Sequence, residues 1–225
     1  MHVHKILIPT AMLLIPVALT TAAASARLVL QTNQSCYLVG QRVAITGAGF
    51  APSRNYEVAV DGINFGTSTT DAGGGFTASL IPGGLGRNVV QEVHLLSATD
   101  GTSLTRTSFT VTRTTGARIL AGTGAAATLR APFQVWGFDL VGGEPSAVST
   151  VRRPVYVHYL SPHKHLRRTV ALGHTSGQCG YLRTARRRVF PFIPSRGIWT
   201  LQVDTDRAFS KRPLGPTAKI EVRVS

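Results

Sequence analysis

Short runs of alternating apolar and polar residues, each ended by a turn signal, constrain this chain more than any other feature. In the run 56–60, Val58 and Val60 fall on one face and Glu57 on the other, which is the two-residue period of a half-buried strand. Asp61–Gly62 then supplies the residue pair of a type I′ turn, because both central residues of that turn need φ > 0. We find no amphipathic helical pattern between the runs, which excludes an alternating α/β fold.

The same alternation predicts seven strands in each half of the chain. The predicted strands are 27–31, 41–46, 56–60, 63–69, 76–81, 90–97 and 104–112, then 117–121, 133–138, 155–160, 166–172, 187–192, 197–203 and 219–224. Short strands separated by turns in this way are typical of an antiparallel Greek-key β-sandwich. The polar segment 113–117 therefore predicts a linker between two all-β domains, 27–112 and 118–225.

The first 26 residues have the features of a secretory signal peptide. A weakly basic start precedes the apolar run Ile6–Leu19, and small residues end the segment at Ala24-Ser25-Ala26. We therefore expect cleavage after Ala26 and a secreted location, either extracellular or associated with the cell envelope. The run is shorter than the roughly 20 apolar residues of a membrane span, so we expect no transmembrane span in the mature chain.

Positive charge is concentrated in the second half of the chain. Residues 27–117 carry 6 Arg and no Lys against 5 acidic residues, whereas residues 118–225 carry 17 Arg and Lys against 5. A surface of one charge sign attracts polyanions. The candidate contacts are Arg152, Arg153, Lys164, Arg167, Arg168, Arg183, Arg186, Arg187 and Arg188. Because Arg outnumbers Lys 20 to 4, the codon usage of a GC-rich genome is an alternative origin for part of this charge.

Three turn motifs in the first half carry a family resemblance. They are Gly47–Pro52 (GAGFAP), Val58–Gly62 (VAVDG) and Thr70–Phe76 (TDAGGGF). With them, residues 36–112 resemble bacterial Ig-like modules of the IPT/TIG type, which implies an immunoglobulin-like sandwich used as an extracellular spacer or adhesive unit. The second half resembles tail modules of exported actinobacterial-type proteins in the segments 155–159, 179–180 and 190–192. This second resemblance implies no activity.

Cys179 is the residue that most suggests catalysis, and His174 lies upstream of it. Neighbouring arginines would favour its thiolate. Gly177–Gly180 resembles the Gly-Gln-Cys-Gly stretch of papain-like proteases, but the nucleophilic cysteine that follows in those enzymes is missing here. No carboxylate or amide is placed to orient the histidine. We predict that the protein is not an enzyme, with a cysteine-dependent enzyme as the alternative.

The histidines at 158, 163, 165 and 174 invite a metal interpretation. Lys164, Arg167 and Arg168 would repel a cation, however, and the spacing is unlike that of zinc sites. Asp71 and Asp204–Asp206 lack the regularly spaced oxygen ligands of a calcium loop, so we interpret both as turns. We predict no metal and no cofactor.

Cys36 and Cys179 permit one disulfide, which would join the two domains. Such a bond needs Cα atoms within about 7 Å of each other. Since the two cysteines belong to different predicted domains, we expect two free or buried thiols instead.

The aromatic residues separate two hypotheses of function. Aromatic side chains bury the largest area, so the expected core anchors of the second domain are Trp136, Phe138, Phe190, Phe192 and Trp199.

We expect a non-catalytic protein that contacts an anionic cell-wall polymer or a lipid surface. The alternative is a carbohydrate- or protein-binding adhesion module, in which an exposed indole stacks on a sugar. Nucleic-acid binding is physically possible, but export makes a physiological nucleic-acid partner unexpected.

Overall fold

The computed structural model describes residues 27–125, 127–141, 144–145 and 152–225, and the predicted signal peptide with its cleavage position at Ala26 lies outside them. Within the described residues the secondary structure is entirely β. The chain folds as two immunoglobulin-like β-sandwiches, as the alternation predicts. We refer to them as the N-terminal and the C-terminal sandwich.

The N-terminal sandwich packs a sheet of three strands against a sheet of five. Its strands are β1 (Val29–Thr32), β2 (Cys36–Leu38), β3 (Val43–Ala48), β4 (Asn55–Val60), β5 (Ile63–Thr69), β6 (Phe76–Leu80), β7 (Gln91–Thr99) and β8 (Leu104–Thr112). The sheet orders are β1-β3-β6 and β2-β8-β7-β4-β5. All pairs are antiparallel except β2 with β8, which run parallel. The buried alternate residues of both sheets, such as Val43, Ile45 and Val58, form one core.

The C-terminal sandwich is built from shorter pieces around one four-stranded sheet. Its strands are β9 (Gly116–Ile119), β10 (Arg130–Ala131), β11 (Phe133–Trp136), β12 (Leu140–Val141), β13 (Glu144–Pro145), β14 (Pro154–Leu160), β15 (Leu166–His174), β16 (Leu182–Arg183), β17 (Arg187–Arg188), β18 (Gly197–Asp204) and β19 (Ala218–Val224). The orders are β15-β14-β18-β19 and β16-β11-β9, with the two-stranded ribbons β10-β17 and β12-β13. Strand β9 begins inside the segment predicted as linker.

Each predicted strand has an observed counterpart, and the main difference in length is at 187–192. Only Arg187–Arg188 pair there, because Val189 and Phe190 leave the ribbon and become buried in the core, with exposures of 0% and 1%. The sequence pattern did not indicate β2, β10, β12, β13 or β16. These strands have two or three residues, too few to display a period of two.

The turn motifs of the N-terminal sandwich interlock. Asp61 and Gly62 have φ values of 51° and 81°, so the type I′ turn is confirmed. Gly74 (φ 75°) lies against Phe50, whose backbone oxygen would be 2.0 Å from a Cβ at position 74. The Asp71 carboxylate accepts hydrogen bonds from the backbone N–H groups of residues 73 and 75, both at 2.8 Å. Asp71 is therefore a turn residue, as predicted.

Asp100, in the turn between β7 and β8, connects that turn to the loop that follows β3. Its carboxylate accepts hydrogen bonds from Ala51 N (2.9 Å), Ser103 N (2.7 Å) and both the N–H and the hydroxyl of Thr102 (3.0 and 2.8 Å). The bond from Ala51, followed by those from Ser103 and Thr102, holds the pKa of Asp100 well below its ordinary value, although burial opposes this. The ionised carboxylate therefore stabilises the folded state.

Asp100→Asn is expected to lower the free energy of unfolding at pH 7 by about 2 kcal/mol, because buried N–H donors lose a charged acceptor. Since the folded pKa lies below the unfolded value of about 3.9, the difference from the parent stays constant above about pH 4 and shrinks as the pH falls towards the folded pKa. Urea unfolding followed by circular dichroism at several pH values measures both effects. Glu92→Gln, on an exposed strand position, is the control. A difference that persists undiminished at pH 2 would contradict the prediction.

An aromatic cluster fills the C-terminal core. Phe190 and Phe192 contact Trp199 with ring centroids 5.5 and 5.3 Å apart, and both contact Tyr159. Of the predicted anchors, Phe138, Phe190 and Trp199 are buried and Phe192 packs against the core. Trp136 was predicted wrongly. It lies half-buried outside the core cluster, because its ring covers Gly116 on the neighbouring strand.

The expectation of free thiols is also wrong, since Cys36 and Cys179 form a disulfide with Cα atoms 5.3 Å apart. Strand β2, which the sequence pattern did not indicate, places Cys36 at the edge of its sheet beside β8. Leu140 and Leu38 pack around the bridge. Thr110 and Gln178 add a hydrogen bond of 3.2 Å between the sandwiches. We call the end of the C-terminal sandwich that holds the bridge the junction end.

Candidate functional site

The C-terminal sandwich contains a long stretch of sequence without acidic residues. From Pro145 to Val203 there is no Asp or Glu, whereas ten Arg and Lys residues occur. Within the described residues, Arg153 is the only one of these ten in a salt bridge. Its guanidinium lies 3.0 Å from the buried carboxylate of Asp139. The positive charge of this region is therefore largely unneutralised by the protein itself.

The structure distributes the nine predicted contact residues over four places. Arg152 and Arg153 lie at the junction end, where the Arg153 backbone N–H donates a hydrogen bond to Thr175 Oγ1 at 3.0 Å. Lys164 and Arg167 lie at the opposite end, Arg183 lies on strand β16, and Arg168 and Arg186–Arg188 follow one edge of the sandwich. They do not form one continuous face.

The edge group is the densest of the four. Arg188 pairs directly opposite Arg130 across the β10–β17 ribbon, and Arg187 Nη1 donates to the backbone oxygen of Ala171 in β15 at 3.2 Å. Arg168 lies on the same edge strand, β15. We call Arg130, Arg168, Arg187 and Arg188 the arginine edge; Arg130 was missed because β10 is only two residues long.

The charges of two members of the arginine edge influence the pKa of the buried Tyr159. Burial raises the pKa of Tyr159 well above its ordinary value, while the charges of Arg187 and Arg168 act in the opposite direction. The Tyr159 hydroxyl donates to the backbone oxygen of Val189 at 2.7 Å. Both guanidinium groups therefore act electrostatically on one buried hydroxyl, although they come from different strands.

The end opposite the junction is formed by two loops, which we call the distal tip (residues 161–167 and 191–198). Lys164 has a left-handed φ of 63° and its Nζ donates to Thr200 Oγ1 at 2.8 Å. A Cβ on Gly197 would lie 2.6 Å from Pro162 Cγ, so the two loops are in close contact. They enclose an open depression of about 430 Å³, lined by Ser161, His163, His165, Arg167, Phe192, Ile193, Ser195 and Trp199.

The two indoles do not form an open stacking platform. Trp199 is 2% exposed and its Nε1 donates to the backbone oxygen of Ser195 at 2.9 Å. Trp136 Nε1 donates to the backbone oxygen of Thr114 at 2.8 Å, and the Arg118 guanidinium lies 5.8 Å from its ring centroid. The carbohydrate alternative needs an exposed indole. The Trp199 indole is buried, and the Trp136 indole already contacts Thr114 and Arg118.

The disulfide also decides the cysteine alternative. Both cysteines of the chain are bonded, so neither offers the thiolate on which a cysteine-dependent enzyme relies. His174 is exposed at the end of β15. Within the described residues, no three His, Cys, Asp or Glu side chains lie close enough together to hold a metal ion.

A buried polar network around His158 was missed by sequence reasoning. His158 Nε2 faces two acceptors, Asp204 Oδ1 at 3.0 Å and the backbone oxygen of Asp206 at 3.1 Å. The ring therefore carries a proton on Nε2, and Nδ1 is hydrogen-bonded with the Thr169 hydroxyl at 2.8 Å. Gln202 Nε2 donates to Asp204 Oδ2 and to the backbone oxygen of Ser210, both at 2.9 Å.

This network fastens a loop rather than presenting reactive groups. His158 and Asp204 are both 0% exposed, so a substrate has no direct access to them, although the order hydroxyl, imidazole, carboxylate is that of a hydrolase triad. The bonds to residues 206 and 210, with Phe209 packed 5.6 Å from the imidazole, hold residues 205–217 over the sheet. Burial and hydrogen bonding of both ring nitrogens identify His158 as a structural histidine.

No protein-family model matches the chain, and no curated protein matches it. Among the described residues, no helix is long and apolar enough to cross a bilayer. The resemblances to IPT/TIG modules and to exported tail modules stay predictions.

Several solved structures are similar to the chain. They include invasin, a bacterial integrin-binding protein (TM-score 0.32, 10% identity, 88% of this chain and 39% of that one). They also include the fibronectin(III)-like modules of Clostridium thermocellum CbhA (0.29, 12%, 87% and 95%) and a tandem of titin Ig domains (0.38, 12%, 88% and 94%). Superpositions this weak add nothing on function, and the assignment of the fold rests on the strand pairing described above.

Proposed function

We propose that this chain is a non-catalytic extracellular or cell-envelope protein whose C-terminal sandwich binds an anionic surface polymer along the arginine edge. The observation that carries the proposal is the set of exposed arginines brought together from β10, β15 and β17 in a stretch nearly free of carboxylates. Guanidinium groups form bidentate hydrogen bonds with phosphate and carboxylate. A row of them suits a flexible polymer that repeats one negative charge.

The disulfide supports an extracellular location. Disulfides persist in oxidising compartments and are rare in the cytosol of most cells, and this one is buried, with Cys36 and Cys179 exposed by 1% and 0%. Together with the predicted signal peptide, it supports export. The N-terminal sandwich, tied to the other by this bond, would act as a spacer of the IPT/TIG kind.

Binding to poly(glycerol phosphate) tests the proposal. Arg130, Arg168 and Arg188 are exposed, and their replacement together by Gln is expected to weaken retention about tenfold and to flatten its salt dependence, because fewer counterions are displaced. The matched control replaces Arg54, Arg87 and Arg106, which are exposed in the N-terminal sandwich, and removes the same charge. Retention of this control variant on poly(glycerol phosphate) should change little.

Two results would contradict this function. Equal loss of retention in both triple variants would show that net charge alone, of compositional origin, attracts the polymer. Retention that does not fall between low and moderate salt would exclude an electrostatic contact.

A further inference from the structure

We propose that the distal tip is a second, separate docking surface, for an anionic lipid bilayer, with Ile193 entering the headgroup region. This proposal does not depend on the arginine edge. It joins two observations at one place, namely an apolar side chain held out into solvent and a surrounding set of cations.

Ile193 is presented to solvent by its own backbone. Its side chain is 95% exposed, and it lies between Phe192 and Pro194 in the segment Pro191–Pro194. The two prolines restrict this segment to extended conformations. Phe192 packs against Tyr159 and Trp199 at centroid distances of 5.5 and 5.3 Å, so Ile193 projects from a base anchored in the core. Full exposure leaves the apolar surface of Ile193 available for burial in a contact, which would be favourable.

Two further exposed apolar residues lie at this end of the sandwich. Leu166 begins strand β15 with 43% of its surface exposed, and Ile198 near the start of β18 is 42% exposed. Both strands leave the loops of the distal tip. Single exposed hydrophobic residues are ordinary on soluble proteins, but three at one end of a sandwich favour an interaction surface.

Cations surround this apolar surface. Lys164, Arg167 and Arg196 are exposed there, together with His163 and His165. The carboxylate nearest in register is Glu221, opposite Thr200, and within the described residues it forms no salt bridge with these cations. Basic residues beside an anionic leaflet each add to membrane affinity, and inserted apolar side chains add a contribution that a hydrated polymer cannot supply. The combination therefore favours a lipid surface over a soluble polyanion.

The location leaves room for a bilayer. Strand β14 runs from Pro154 at the junction end to Leu160 beside the distal tip, a separation of roughly 20 Å for a strand of this length. The disulfide to the N-terminal sandwich lies at the junction end. The rest of the protein therefore extends away from a membrane that the tip would contact.

The test compares vesicles of phosphatidylcholine with vesicles that also contain phosphatidylglycerol, using co-sedimentation of the full chain. We expect binding only to the anionic vesicles and about tenfold weaker partitioning for Ile193→Ser. The matched control is Leu214→Ser, since Leu214 is also fully exposed (105%) but lies in a loop with Thr115 and Leu140, away from the tip. Replacement of Lys164, Arg167 and Arg196 by Gln should weaken binding at least as much as Ile193→Ser.

A parallel measurement on poly(glycerol phosphate) separates the two proposals. Ile193→Ser should leave polymer retention unchanged, whereas the arginine-edge variant should reduce it. The lipid proposal is overturned if the protein binds both vesicle types equally or if Ile193→Ser binds anionic vesicles as tightly as the parent. It is also overturned if the protein binds poly(glycerol phosphate) but no vesicles. In the last case the exported protein contacts polymer alone.

Discussion

Asp204→Ala is expected to destabilise the C-terminal sandwich by about 3–5 kcal/mol, because it leaves buried donors without their charged acceptor. The carboxylate receives hydrogen bonds from His158 Nε2, Gln202 Nε2 and the N–H of Asp206 at 2.9–3.0 Å. Two of these donors, on His158 and Gln202, lie on side chains that are only 0% and 1% exposed and would lose an acceptor away from water. Loop 205–217 would also lose the hydrogen bond from the Asp206 N–H to the carboxylate.

Tryptophan fluorescence during denaturation with urea measures this loss selectively. Both tryptophans, Trp136 and Trp199, belong to the C-terminal sandwich, so their emission reports unfolding of that half. Asp206→Ala is the control, because its side chain is exposed and only its backbone enters the network. A loss below 1 kcal/mol for Asp204→Ala would show that the network contributes little net stability.

Removal of the disulfide in the double variant Cys36→Ala and Cys179→Ala is expected to cost about 4 kcal/mol. The bond joins residues separated by 143 positions, and a crosslink that closes so long a loop removes much of the entropy of the unfolded chain. The small buried cluster with Leu140 and Leu38 would then be left to hold the sandwiches together, with hydrogen bonds such as Thr110 to Gln178 and Arg118 Nη2 to the Asn88 backbone oxygen.

Denaturation with and without a reducing agent tests this expectation. The parent should lose stability on reduction and approach the variant, whereas the variant should not respond to reductant. Thiol titration of the denatured, unreduced parent provides an independent check. Two reactive thiols in that experiment would contradict the disulfide and reinstate free cysteines.

The candidate sites could be predicted only in part. Charge density per segment is a property of composition, so the basic character of the second half was visible in the sequence. The sequence did not show that Arg153 would be used to neutralise Asp139, or that Arg130 would join Arg188. Both facts depend on contacts between segments that carry no shared sequence signal.

Local pattern determined the strands and turns of this protein. A period of two and a pair such as Asp61–Gly62 act through neighbouring residues, since side-chain alternation and backbone φ are set within a few positions. The all-β class, most strand positions and the type I′ turn could therefore be predicted correctly.

Only the tertiary structure decided which distant groups meet. Cys36 meets Cys179 across 143 positions, His158 meets Asp204 across 46, and the loops 161–167 and 191–198 meet at the distal tip. Such contacts follow from how two sheets pack and which edges face each other, and packing depends on the summed burial of many side chains rather than on any local motif. For the same reason, Trp136 lies outside the core although its residue type favours burial.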